Sequence, residues 1–424
     1  MEEKYTTCSP VSQPIAWLIW AFVTLFYFYE YFLRTAPSVM ENELSHFFSI
    51  SAAGLGSLIG AYYYTYAPLQ IVAGVAMDRY GGRKVVPLAV LLCAIGSWLF
   101  TMPNLGIALL GRMLIGAGSA CGFISVIFIA TNWIPRQHLA LLTGLTQTLG
   151  MLGAILGQKY VVLLMQNHIW QTVWQQCVVA GIGLAIILFF IIPKRPVHVQ
   201  QRIKAQGYAH VLQNLKLVVC NKQTWLAGIF GGCIFLPTTV LAMIWAVPFF
   251  ESAYHLSLQK VTSLTSILFI GWIIGSPLMG FISDRLGSRK YVMVLGVLLT
   301  FLCVLAIVYI PNLPYYLLLA LMFLIGIFSG TELVAIAFTC EANPIFAKGA
   351  AIGITNFIIF TFSAILSPLV GVLLNRITGA HALITAQDYQ LSFLIIPVCL
   401  LLALICILYA TEPEAKQDIL SMEH

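Results

Sequence analysis

An eleven-residue pattern, Gly-x-x-x-Asp-Arg-x-Gly-x-Arg-Lys, occurs twice in this chain, 206 residues apart. The first copy runs from Gly74 to Lys84 and the second from Gly280 to Lys290. Each joins two long apolar runs, so the chain holds two similar halves of roughly 200 residues. Water is excluded as the solvent of those halves. The chain is 60% hydrophobic and only 8% charged, with a mean hydropathy of +0.94, where soluble domains carry about 25% charge.

Hydropathy predicts twelve membrane spans, enough for an all-α fold of two six-helix bundles. Spans 1 to 6 fall at 15–37, 51–77, 85–103, 105–131, 139–165 and 172–193. Spans 7 to 12 fall at 225–247, 259–283, 291–310, 314–340, 348–374 and 389–411. The predicted domains are 1–193, a basic linker at 194–222, and 223–424 with a short tail. The linker carries Lys194, Arg195, Arg202, Lys204, Lys216 and Lys222 and no acid. With both termini inside, 16 of the 21 Lys and Arg residues fall on the cytoplasmic side, as the positive-inside rule requires. The first apolar stretch has no small-residue cleavage site after it and is expected to be retained as a helix.

Several function classes are excluded. The net charge of +6 is spread between spans and forms no basic face interleaved with aromatics, so no nucleic-acid partner is expected. The ten cysteines are scattered without a C-x-x-C pair and read as small apolar fillers. No metal, nucleotide or hydrolase motif falls in a span, so neither an enzyme nor a cofactor is expected.

The duplication continues beyond the charged loops. Gly144-Leu-Thr-Gln147 matches Gly353-Ile-Thr-Asn356 at an offset of 209, and Ala154-Ile-Leu-Gly157 matches Ala364-Ile-Leu-Ser367 at 210. Pro135 and Pro344 both precede those spans. Together with Arg112-x-x-x-Gly116-x-Gly118 in span 4, these motifs resemble the major facilitator superfamily. The resemblance implies two pseudo-symmetric bundles rocking about a central site. It implies a cavity lined mainly by spans 1, 4, 7 and 10, with help from 2, 5, 8 and 11. Drug-exporting antiporters of that family usually carry a Gly-Pro pair in span 5. Here span 5 has four glycines and no proline, which demotes efflux. Phe26 through Met40 resembles a narrower group, the phagosomal amino acid and nucleoside transporters of intracellular gammaproteobacteria.

The repeated loop has its own physics. Asp78 and Asp284 end spans 2 and 8, where a carboxylate can pair with a nearby arginine and cap a neighbouring helix. The resemblance implies that this latch, built on Gly74, Asp78, Arg79, Gly81, Arg83 and on Gly280, Asp284, Arg285, Gly287, Arg289, breaks when the halves rock. Gly81 and Gly287 permit a tight turn. Arg83, Lys84, Arg289 and Lys290 are expected to anchor at the anionic leaflet.

Charges within spans are the remaining signal. Each costs ~2.5–3.5 kcal/mol at the bilayer centre on insertion scales and usually faces a cavity. They are Glu30 and Arg34 in span 1, Arg112 in span 4, Lys159 in span 5 and Glu332 in span 10. Glu30 and Arg34 share one helical face, and Arg112 falls at a similar depth. A Glu30–Arg34–Arg112 cluster is predicted, serving either proton coupling with carboxylate recognition or a bridge between spans 1 and 4. Glu332 stands alone in its stretch and suits a proton carrier or a partner for an ammonium. Lys159, Gln147, Gln158, Asn356, Tyr62, Tyr66 and Gln70 are further lining candidates, Gln147 and Gln158 sharing a face of span 5, whereas Glu41, Glu43 and His46 are expected to be solvated.

The sequence therefore predicts a monomeric secondary active transporter of a bacterial inner membrane. It would import a small zwitterionic or anionic metabolite with protons, Glu30 and Glu332 carrying the proton and Arg34 and Arg112 meeting a carboxylate. Export or import of a siderophore or drug-like compound is the alternative.

Overall fold

The computed structural model describes residues 13–134, 139–167, 169–193, 207–344, 347–378 and 384–412. The described residues form helices and connections without a strand, as required where lipid leaves backbone groups no outside partner. In the first half these are α1 (Gln13–Thr35), α2 (Glu41–Phe48), α3 (Ala52–Tyr80), α4 (Gly82–Phe100), α5 (Leu105–Ser119), α6 (Gly122–Trp133), α7 (Leu139–Met165) and α8 (Trp170–Ile191). The amphipathic α9 (Gly207–Cys220) follows the connection, of which residues 194–206 lie outside the described residues. The second half holds α10 (Lys222–Leu236), α11 (Ala246–Tyr254), α12 (Leu258–Leu286), α13 (Arg289–Tyr309), α14 (Tyr315–Ser329), α15 (Thr331–Glu341), α16 (Lys348–Thr378), α17 (Ala386–Ser392) and α18 (Ile395–Tyr409).

Among the described residues, eleven helical segments are long and apolar enough to span a bilayer, or twelve when α2 and α3, which meet at a 110° bend, count as one. The chain is a multi-pass membrane protein of the predicted class. Spans 4, 7, 10 and 12 are interrupted, the last at the turn between α17 and α18. Span 4 breaks between α5 and α6, and span 10 breaks at the equivalent place between α14 and α15. Span 7 passes through π-helical turns at Pro237–Trp245, a geometry frequent at functional sites.

Close helix contact rests on glycine at matching places. A Cβ on Gly116 would run into the Tyr62 carbonyl oxygen, and one on Gly326 into that of Leu268. Both pairs keep the repeat's spacing, so α3 against α5 and α12 against α14 are one contact written twice. The two halves touch at the end away from the charged loops, here called the far end. There Gly371 meets the backbone of Ala52 and Ala53, Gly56 meets Ser367 and Pro368, and Asn375 Nδ2 donates to Ser51 Oγ at 2.9 Å. At the motif end a Cβ on Gly74, Gly144, Gly280 or Gly349 would meet nothing within 4 Å. The far end is closed.

Candidate functional site

Glu30 and Arg34 lie one turn apart on α1, 0% and 2% exposed. They form an ion pair, Nη2 to Oε2 at 2.9 Å, as their spacing predicts. Tyr62 of α3 completes it, donating its hydroxyl to Glu30 Oε2 at 2.8 Å and accepting from Arg34 Nε at 3.1 Å and Nη2 at 3.0 Å. Aromatic rings wall the guanidinium. Those of Tyr31, Tyr66 and Phe360 have centroids 4.2, 4.7 and 5.5 Å from its central carbon. Phe360 comes from α16 in the other half, so Arg34 sits at the seam between the bundles. Its Nη1 is buried and, among the described residues, has no hydrogen-bond partner.

Arg112 does not join this pair as expected. Its Nη1 donates to the Leu33 carbonyl at 2.9 Å and its Nη2 to that of Ile59 at 3.2 Å. The predicted three-way cluster is thus a Glu30–Arg34–Tyr62 triad, with Arg112 fastening α1 and α3 behind it. One carboxylate cannot satisfy two buried guanidiniums, and backbone carbonyls meet the two Nη atoms of the second, while Arg112 Nε is buried without a hydrogen-bond partner among the described residues.

Glu332 opens α15 and is 6% exposed. Among the described residues it has neither a hydrogen bond nor an ion pair, although Tyr31 of the first half lies within its electrostatic reach. A Cβ on Gly231 of α10 would stand 3.8 Å from its Cγ, and one on Gly122 of α6 would stand 3.3 Å from the Cγ of Glu30. The repeat aligns Gly122 with Glu332. Each half therefore has one acid at the contact between its first and fourth spans, but the acid sits on opposite members of that contact.

The weaker candidates divide. Tyr62 and Tyr66 are buried, stacked 5.1 Å apart on Arg34. Gln147 Oε1 accepts from Tyr27 at 3.2 Å, and Asn356 is buried on α16. Lys159 is exposed on α7, away from the triad, against expectation. Its neighbour Gln158 faces inward. Gln158 Nε2 donates to Ser38 Oγ at 2.9 Å and to the Ala242 carbonyl at 3.3 Å, while its Oε1 accepts from Thr265. One residue is a 100° turn of a helix, and burial tells the two apart where hydropathy does not. Gln158 and Phe360 join the halves, yet Phe360 carried no sequence signal among 26 phenylalanines.

At the motif end, Arg289 Nη1 pairs with Asp284, and its Nη2 lies 2.8 Å from Glu341 Oε1. The helix cap expected from Asp284 is supplied instead by Ser288, whose Oγ accepts from the Tyr291 N–H at 3.2 Å, and by Glu412, which accepts from the backbone N–H of Arg289 at 2.6 Å and of Lys290 at 3.0 Å. In the first half Arg83 Nη1 donates to the Ile192 carbonyl at 3.2 Å, over the Phe189 ring. Arg79 and Arg285 are exposed beside Tyr80 and Phe281. The side chain of Asp78 lies outside the described residues.

Known proteins share this architecture. The family model of the Major Facilitator Superfamily matches residues 17–258 and 233–423. A "Probable anion transporter 5" of Arabidopsis thaliana is 24% identical over 61% of this chain and 65% of its own length. The chain thus spans just under two thirds of that relative. The "Citrate-proton symporter" of Klebsiella pneumoniae is 24% identical over 82% of this chain and 80% of its own. Among solved structures, a bacterial homologue of the human lysosomal transporter Spinster, inward-facing and unoccupied, matches with a TM-score of 0.73. That likeness has 16% identity and covers 94% of this chain and 98% of the other.

Proposed function

The chain belongs to the Major Facilitator Superfamily, and from that premise we propose that it imports a small organic anion with protons by alternating access. Its membrane would be a bacterial inner membrane, with both termini cytoplasmic as the Lys and Arg distribution favours. The observation that carries the reading is Arg34 at the seam between the halves, with Phe360 of the other half against it and its buried Nη1 without a partner among the described residues. A buried donor without an acceptor is costly, and a guanidinium corner matches a carboxylate oxygen. Of the two charge classes open to the sequence, the anionic one is further supported by relatives named for anion and citrate transport. The narrower likeness to phagosomal amino acid and nucleoside transporters rests on α1 alone.

Coupling follows from charge balance. An anion at Arg34 would place two negative charges on one guanidinium, since Glu30 already occupies Nη2. A proton on Glu30 restores neutrality, and Tyr62 can turn its hydroxyl accordingly. Glu332, buried without a partner, is the second proton carrier, reached from the other half. Tyr66, Gln147 and Asn356 would orient the rest of the substrate, and Arg112 holds α1 and α3 in register as a positioning residue. The paired loops would serve as the latch between states, in which Asp78, Arg79, Arg83 and Asp284, Arg285, Arg289 act with Gly74, Gly81, Gly280 and Gly287.

The test is uptake into liposomes carrying the purified protein, with an acidic exterior, using labelled di- and tricarboxylates, uronates and neutral amino acids. We expect saturable carboxylate uptake that a protonophore collapses and that Arg34→Gln abolishes without loss of the folded protein. Wild-type uptake by Arg34→Gln, or transport of amino acids alone, would overturn the reading.

A further inference from the structure

At the far end the first half contributes Glu41, Asn42 and Glu43, and the second half Val247, Pro248, Glu251 and Leu258, to one small cavity. Glu41 was expected to be solvated. It is 6% exposed, and its Oε1 has no hydrogen-bond partner among the described residues. Glu43 and His46, on the same short helix, are exposed as expected. A carboxylate is therefore shut into the interface between two bodies that must part for transport, facing two further carboxylates.

We infer that Glu41 is a proton-binding site that gates the far end: the halves close there when this carboxyl is protonated and part when it ionises. The inference rests on the alternating-access reading but concerns a site remote from Arg34. The cavity's character selects the ligand. Its volume is about 50 Å³, room for water but not for a metabolite. Among the described residues no three His, Cys, Asp or Glu converge closely enough to hold a metal ion. A proton is the remaining ligand that removes the buried charge.

The groups facing Glu41 can be named. On α2 there is Glu43, on α11 there is Glu251, and on α17 the buried Tyr389 lies within reach of both Glu41 and Glu251. Asp388 beside it is turned to the N-terminus of α17, where it bonds Thr385. On α12, Lys260 lies over the Tyr315 ring, and among the described residues no basic side chain lines the cavity. Burial, with Glu251 and Glu43 adding to it, pushes the Glu41 carboxyl well above the usual carboxylate range. Parting the halves returns it to water and its ordinary value. Closure thus takes up a proton. The closed far end is favoured below the raised value and loses that advantage as pH rises through it.

Hydrogen–deuterium exchange of the full chain in lipid nanodiscs tests this, at pH 5.5 and 8 with exchange times scaled for intrinsic rates. In the wild type, segments 41–60, 246–262 and 367–378 should be at least fivefold more protected at the lower pH. Glu41→Gln should keep that protection at both values, and Glu30→Gln should keep the wild-type response, which separates this gate from the central site. Glu251→Gln, at a half-buried position, should shift the transition to lower pH and serves if Glu41→Gln does not fold. A pH-independent far end in the wild type, or a wild-type response in Glu41→Gln, would overturn the inference. Should uptake fail while these protection changes appear, the transport reading falls and the gate stands.

Discussion

Gly122 is the space in which Glu30 sits: a Cβ on the glycine would stand 3.3 Å from the acid's Cγ. In the second half Glu332 stands at the position of Gly122, and a Cβ on Gly231 would stand 3.8 Å from its Cγ. Substituting Gly122 by alanine should displace Glu30 by a few tenths of an ångström without unfolding the protein. We expect a loss of only a few degrees in melting temperature and a drop of tenfold or more in proton-driven uptake. Equal uptake in Gly122→Ala and wild type would dissociate the triad's geometry from coupling.

Tyr62→Phe removes one hydroxyl that serves both charges of the triad while keeping the ring beside Arg34. Hydrogen bonds to charged groups contribute about 1.5–3 kcal/mol, so thermal unfolding should move down measurably. The pH profile of uptake should also shift, because Glu30 loses the donor on Oε2. A merely structural tyrosine would change the first readout and leave the second alone.

The two motif glycines differ in backbone. Gly287 has φ +63 and ψ 18, a left-handed conformation that asparagine tolerates. Gly81 has φ +79 and ψ 154, a region essentially confined to glycine. Gly287→Asn should therefore express and melt much as wild type, whereas Gly81→Asn should cost about 1–3 kcal/mol. Comparison of detergent-solubilised melting temperatures decides it, and equal losses would contradict the argument.

Asp284 is 66% exposed in its ion pair with Arg289. Exposed pairs contribute about 0–1 kcal/mol, so Asp284→Asn should hardly alter stability. Its effect should fall on turnover, with uptake slowed severalfold and substrate affinity within twofold of wild type. An affinity loss with unchanged turnover would place Asp284 outside the latch.

Much of this was legible beforehand for physical reasons. Burying a charge in lipid is costly enough that Glu30, Arg34 and Glu332 stand out in an apolar run, and the i, i+4 spacing of the first two dictates their pairing. Arg112 stood out equally, yet its partners are the carbonyls of Leu33 and Ile59, which no side-chain pattern reveals. Lys159 and Gln158 differ by one helical step, and hydropathy averages over many such steps. Glu41 follows the end of span 1 in an ordinary-looking polar loop, and only contact with Val247 and Pro248 of the other half shuts it in.

By itself the sequence determined the helical membrane class, the duplication and the spans that carry charge, because bilayer thickness and desolvation act on composition along one strand of chain. Tertiary structure decided which buried donors are satisfied. It left Arg34 Nη1 and Arg112 Nε without partners among the described residues, turned the Nη atoms of Arg112 onto backbone carbonyls, and buried Glu41 between the halves. Such outcomes depend on helix rotation and on contacts between residues some two hundred positions apart, and those are properties of packing.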